Sequence, residues 1–230
     1  MKRIRGETFY HELLRRASFY IVKKYLIKTD ITPNRITLFR NILFIISLFF
    51  FIRLDSWYIF AFFLFQISEL LDSVDGDLAR YKGLKSKKGV WLEIFFDSIL
   101  TPVWGVLGMV FAYIGYKIDG TYLYFFIWGA IAFSANLEKN FYIHFKGVKE
   151  ALSEAEHSHI YFGFVGEDFK TKVRNFIIVS KSWENQWLVF AGLIYTIFGI
   201  NIFLYIWIWL LALNQIHWIR LAWDGYRKSI

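Results

Sequence analysis

The chain contains no cysteine, which excludes disulfide bonds and cysteine-ligated zinc. It has only two prolines in 230 residues, while aromatic residues make up 22%. That combination excludes a disordered or low-complexity chain, because such chains lack the side chains that bury surface. No internal repeat and no linker rich in Pro, Gly or Ser is found, and the basic N-terminal region lacks the short apolar core and cleavage site of a secretory signal peptide. What is abundant is apolar surface. Hydrophobic residues make up 57% of the chain, against roughly 45–50% in an ordinary soluble domain. The net charge is +8, from 27 Lys and Arg against 19 Asp and Glu. In a soluble protein this excess would point to nucleic acid. Here the basic residues sit beside apolar blocks, so the expected partner is an anionic lipid surface and not nucleic acid.

A bilayer core takes about 20 mostly apolar residues per helix. Six stretches qualify as candidates: residues 36–52, 57–79, 90–116, 122–141, 187–200 and 202–222. The boundary between the last two, at Gly199-Ile200-Asn201, is the least defined. With the N-terminus in the cytoplasm, all of the 27 basic residues except Arg53 and Lys117 fall on the cytoplasmic side. The expected fold is therefore an all-α integral membrane protein of the cytoplasmic membrane. It has six transmembrane helices and both termini inside. Residues 1–31 form an N-terminal cytoplasmic segment and residues 32–230 the six-helix domain. Within the first segment, Leu13, Leu14, Phe19, Tyr20, Ile21 and Leu26 alternate with Arg15, Arg16, Lys23 and Lys24 at helical spacing, which suits a helix lying in the membrane interface. The plainer alternative is an amphipathic helix packed on the protein. Thr32 is placed to cap the first span, with Pro33 at its first position, where a missing N–H costs nothing. Asn34 and Thr37 follow. Residues 142–182 form the one sizeable stretch between spans. Its His157 and His159 are a weak metal signal, and the default there is a solvated loop or short helix.

The chemistry is concentrated in residues 71–100, which hold Asp72, Asp75, Asp77, Glu93 and Asp97 at the ends of two apolar spans. Ionisable groups at membrane depth are expensive and mark functional sites, and Arg80 alone does not neutralise five carboxylates. At about 100° per residue, Asp72, Asp75, Gly76 and Ala79 share one helix face with Arg80 at its border, while Asp77 points about 140° away from Asp72. Asp77 is accordingly left out of the site. Gly89, Glu93 and Asp97 follow at i, i+4, i+8 on the next helix. A short basic turn makes the two helices antiparallel neighbours, so four carboxylates can converge. Converging carboxylates repel unless they hold cations, and oxygen-only donors favour Mg²⁺, Mn²⁺ or Ca²⁺. Two such ions would balance four carboxylates and clamp a phosphate. Gly76 and Ala79 leave the backbone open to a bulky group, and Arg80 suits phosphate oxygens. The combination points to a pyrophosphate-containing substrate.

This segment resembles the signature of the CDP-alcohol phosphotransferases, D-x2-D-G-x2-A-R-x8-G-x3-D-x3-D. It reads Asp72, Asp75, Gly76, Ala79, Arg80, Gly89, Glu93, Asp97, with seven of eight positions matched and every gap kept. The departure is Glu93, where the family has Asp. The resemblance implies a membrane transferase that moves a phosphoalcohol group, phosphatidyl-type, from a CDP-alcohol to an acceptor hydroxyl with release of CMP, in phospholipid or related phosphodiester synthesis. It implies two Mg²⁺ ions, with Mn²⁺ as an alternative, held by Asp72, Asp75, Glu93 and Asp97, and Asp97 as general base. By the same resemblance Asn34, Thr37, Asp72, Gly76, Ala79, Arg80, Ser86 and Gly89 would bind the nucleotide, and the protein would be a homodimer. Arg40, Lys139, Lys146, Arg174 and Lys181 are candidates for an acceptor phosphate, Arg174, Lys181 and Lys139 foremost, against their reading as a basic cytoplasmic rim. Two other classes stay open: a Mg²⁺-dependent membrane prenyltransferase, and a cation channel or transporter lined by the acidic helices. The donor could be CDP-diacylglycerol, CDP-archaeol or a small soluble CDP-alcohol.

Overall fold

The computed structural model describes residues 9–84, 86–137 and 184–228. Inside the helices, the side chains of some residues, Glu93 and Asp97 among them, lie outside that description. Lys139, Lys146, His157, His159, Arg174 and Lys181 lie outside the described residues altogether. The described elements are all helical: α1 (Phe9–Ile21), continued by a π-helical turn (Val22–Leu26), α2 (Pro33–Phe51), α3 (Trp57–Lys82), α4 (Lys87–Ile99), α5 (Val106–Asp119), α6 (Leu123–Leu137), α7 (Glu184–Phe198) and α8 (Phe203–Lys228).

Local chemistry accounts for most of the boundaries. Thr32 is extended and its carbonyl accepts the Arg35 N–H, but its hydroxyl makes no capping bond, so Pro33 is what starts α2. Asp55 Oδ1 accepts the Trp57 N–H at 2.9 Å and opens α3. Gly83, with φ of 64°, ends it, and the Leu84 N–H returns to the Ala79 carbonyl. Gly199, with φ of 69°, ends α7, and Asn201 Oδ1 caps α8 by accepting the Phe203 N–H. The uncertain Gly199-Ile200-Asn201 boundary is thus a real break with ordinary cap chemistry. The stretch expected as one span over residues 90–116 is instead two helices, α4 and α5. Pro102, which has no N–H to donate to a helix, and Gly105 lie in the break.

α2 is apolar outside, and its buried face mixes polar side chains with Phe44, Leu48 and Phe51. It buries Thr37, Arg40, Asn41 and Ser47 and exposes Leu38, Phe39, Ile42, Ile45, Ile46 and Phe49. Phe126 on α6 is 74% exposed and Phe133 66%. In water such faces would associate; against lipid they are solvated. Among the described residues, α2 and α3 have the length and apolar content of membrane spans, and α6 and the Phe203–Ile216 part of α8 are shorter apolar helices.

Where helices face lipid, burial from water does not drive association and close packing takes over. Phe51 is the hub. Its ring centroid lies 4.7 Å from that of Tyr58 and 5.3 Å from that of Phe111, joining α2, α3 and α5. Phe111 in turn lies 6.2 Å from Phe203 of α8. Tyr58 donates its hydroxyl to the Val189 carbonyl of α7 at 2.8 Å, and a Cβ at Gly192 would stand 2.0 Å from that hydroxyl. Gly192→Ala is therefore expected to displace the buried Tyr58 ring and cost about 1–3 kcal/mol. Thermal unfolding in detergent, compared with the parent chain, checks this; an unchanged midpoint would mean that α3 and α7 are not in contact there.

α1 is held against α3. Ser18, fully buried, donates to Asp77 Oδ2 at 2.6 Å. At its other end Tyr10, Gln66 and Gln186 close a ring of hydrogen bonds: Tyr10 donates to Gln66 at 2.6 Å, Gln66 to Gln186 at 3.0 Å, and Gln186 to the Tyr10 hydroxyl at 3.2 Å. Burial raises the Tyr10 pKa above its ordinary value, and the Glu69 carboxylate adds to this. The phenol therefore stays a donor, as the ring requires. Val22, Ile36, Val74 and Leu78 pack where the π-helical turn meets α2 and α3.

Candidate active site

The face expected on α3 forms, and α2 supplies its partners. Thr37 donates its hydroxyl to Asp75 Oδ2 at 2.6 Å. One turn further along α2, the buried Arg40 guanidinium pairs with Asp72. A neutral donor thus serves one carboxylate and a cation the other. Asp72 and Asp75 are an i, i+3 pair of oxygen donors on one helix face, which suits a hard divalent cation. Among the described residues no three carboxylates or histidines come close enough to share an ion; Glu93 and Asp97, on α4, are not described as side chains.

The start of α4 meets the start of α2. Ser86 accepts the Gly89 N–H at 3.0 Å and caps α4. This is a local role that sequence reasoning did not give it. A Cβ at Gly89 would stand 2.8 Å from Asn34 Oδ1 and 3.2 Å from Ser86 Oγ, so Asn34, Ser86 and Gly89 share one corner. Among the described elements α4 packs on α2, which also lines α3; the expected meeting of the acidic faces of α3 and α4 turns on Glu93 and Asp97, whose side chains lie outside the description. Gly89→Ala is expected to leave the fold intact, because an amide end can swing aside. The corner would be displaced, lowering kcat/KM by about tenfold, equivalent to about 1.4 kcal/mol. Kinetics and a melting curve on the same preparation separate the two effects.

Arg80 lies along the site border. A Cβ at Gly76 would be 3.5 Å from its Nη1 and 3.6 Å from its Nη2, so Gly76 is where the guanidinium rests. Arg80 donates to Asp77 Oδ1 at 2.7 Å. Asp77 faces α1 through Ser18, away from Asp72 and Asp75, as its helical phase required.

A cavity of about 280 Å³ opens beside Asp72, lined by Arg40, Glu69, Thr101, Glu184 and Asn185 with Asp72 itself. Of these only Asp72 and Arg40 were singled out from sequence. Glu69 had a signal, since it stands one turn before Asp72 on the same face. Glu184 and Asn185 had none, being brought in from α7.

The sequence profile of the family described as CDP-alcohol phosphatidyltransferase matches residues 30–150. This covers more than half of the chain and every motif residue. The chain belongs to the CDP-alcohol phosphatidyltransferase family. As a member it is a phosphotransferase that takes a phosphatidyl-type group from a CDP-alcohol to an alcohol acceptor, in a membrane-associated and generally divalent-metal-dependent family. No curated protein matches the chain. α1, α7 and α8 fall outside the matched residues.

Proposed function

We infer that this CDP-alcohol phosphatidyltransferase works at the cytoplasmic face of the cytoplasmic membrane. It has six spans, both termini inside and α1 at the interface, and it acts as a homodimer in phospholipid or related phosphodiester synthesis. The observation that carries the reaction is the pairing of α2 with the motif face, Thr37 on Asp75 and Arg40 on Asp72, at the edge of a cavity. The donor's cytidine and pyrophosphate lie along Asn34, Thr37, Gly76, Ala79, Arg80, Ser86 and Gly89, where small residues leave the helix backbone open and Arg80 meets phosphate oxygens. The acceptor alcohol enters the cavity beside Asp72; Lys139, Arg174 and Lys181, outside the described residues, are the candidates for binding an acceptor phosphate.

Asp97 takes the proton of the acceptor hydroxyl. The oxygen attacks the distal phosphorus, the bond from that phosphorus to the bridging oxygen breaks, and CMP leaves with the electron pair. Asp97 then returns the proton to solvent. Asp72, Asp75, Glu93 and Asp97 would hold Mg²⁺, two ions, or Mn²⁺ in its place, which when bound would offset the charge that builds up on the leaving phosphate. The chain's own contribution is position: α3 presents Asp72 and Asp75 on one face, and Arg40 and Thr37 of α2 brace them.

A panel of CDP-alcohols and acceptors, assayed for metal-dependent CMP release with the lipid product identified by mass spectrometry, tests this. CMP release coupled to one phosphodiester product supports it. Cation flux without CMP release, or diphosphate release from a prenyl donor, would overturn it.

A further inference from the structure

We propose that Asp77 is a positioning residue for the donor's pyrophosphate: anchored by Ser18 of α1, it holds the Arg80 guanidinium over Gly76, and so makes α1 part of the binding apparatus. The proposal rests on the transferase reading above and adds to it a residue outside the eight motif positions and a helix outside the family-matched residues 30–150.

The argument starts from burial. Asp77 is 6% exposed, and a carboxylate so buried must have its oxygens satisfied. Each oxygen has a different partner. Oδ2 accepts from Ser18 Oγ at 2.6 Å, across 59 residues of sequence, and Oδ1 accepts from Arg80 Nη2 at 2.7 Å. The Ser18 side is closed off, since that hydroxyl is fully buried. The Arg80 side is open: its side chain is 61% exposed. A guanidinium has five N–H donors in a rigid plane, so one bond to Asp77 restrains the group and leaves donors for phosphate oxygens. The guanidinium rests over Gly76, where an added Cβ would stand at ordinary van der Waals distance, 3.5 Å from Nη1. An exposed arginine without such a tether would sample many rotamers and give up that freedom when it bound an anion. With the tether, the ordering is already in place when the donor arrives.

A merely structural Asp77 and a positioning Asp77 differ in what a substitution changes. Asp77→Asn keeps size and hydrogen bonding to Ser18 but removes the charge that holds Arg80. In the full-length protein reconstituted in lipid nanodiscs, the expected result is a donor KM raised by about fivefold, with the acceptor KM unchanged. Inhibition by CDP, which has a pyrophosphate, weakens by the same factor, and inhibition by cytidine, which has none, does not change. In an Arg80→Ala background, Asp77→Asn has no further effect, because the residue it acts through is gone. Ser18→Ala shifts the donor KM in the same direction by less, and serves alone if Asp77→Asn does not fold. An equal effect on donor and acceptor, a full multiplicative effect in the Arg80→Ala background, or unchanged CDP inhibition would overturn the proposal. A parent protein that neither binds CDP nor releases CMP would overturn the transferase reading itself, and is seen before any variant is made.

Discussion

Asp75→Asn is expected to reduce transfer by on the order of 10²–10³-fold, the equivalent of about 3–4 kcal/mol of transition-state stabilisation. Asn has nearly the shape of Asp, and its amide oxygen still accepts the Thr37 hydroxyl that reaches Asp75 Oδ2 at 2.6 Å. What is lost is one negative charge on the face shared with Asp72. If that charge holds a divalent cation, the variant also needs more metal to reach its residual rate. Thr37→Val is the complementary change. It keeps the charge and removes the hydrogen bond, whose loss next to a charged acceptor costs about 1.5–3 kcal/mol. The order Asp75→Asn worse than Thr37→Val is the expected result, read from kcat/KM across a metal titration. Asp75→Asn within about threefold of the parent rate would place Asp75 outside the chemistry and leave Thr37 as its ordinary helix-packing partner.

That these two residues meet was half legible in the sequence. Helical phase put Asp72, Asp75, Gly76 and Ala79 on one face and turned Asp77 away from it, because a regular helix leaves side chains no choice of direction. Thr37 and Asn34 came to the site only through the resemblance to the family, and only the packing of α2 on α3 pairs Thr37 with Asp75 and Arg40 with Asp72. Arg40 stood among the acceptor candidates in the sequence; in the fold it is buried, pairs with Asp72 and lines the cavity beside it. The break at residues 100–105 was hidden for a different reason. Apolar residues flank it on both sides, and an average over a span-length window does not see a local turn, although Pro102 and Gly105 carried the signal. Glu184, Asn185 and the contact from Ser18 to Asp77 depend on helices far apart in sequence, and neither periodicity nor spacing encodes such pairings.

The residue that departs from the family pattern gives the second large effect. Glu93 follows Gly89 by four and precedes Asp97 by four, so on α4 it keeps the register that a ligand at this position requires. Its carboxylate is one methylene further from the backbone than that of Asp, a shift of about 1.5 Å. Mg²⁺ demands near-ideal octahedral geometry and accommodates such a shift poorly, whereas a metal with looser requirements adapts to it. Glu93→Ala is expected to lower transfer by about 10²-fold, or about 3 kcal/mol, since on the proposed assignment it removes one of the metal-holding charges. Glu93→Gln, equal in size but neutral, should resemble Ala, because charge and not volume is what the site requires. Glu93→Asp should keep a measurable part of the activity and move the Mg²⁺ to Mn²⁺ preference, because it restores the charge at a different reach. Rates for the three variants, each measured with Mg²⁺ and with Mn²⁺, separate charge from distance. If Glu93→Ala kept both its rate and its metal dependence, Glu93 would be a rim residue, and the metal would have to be held by Asp72, Asp75 and Asp97 alone.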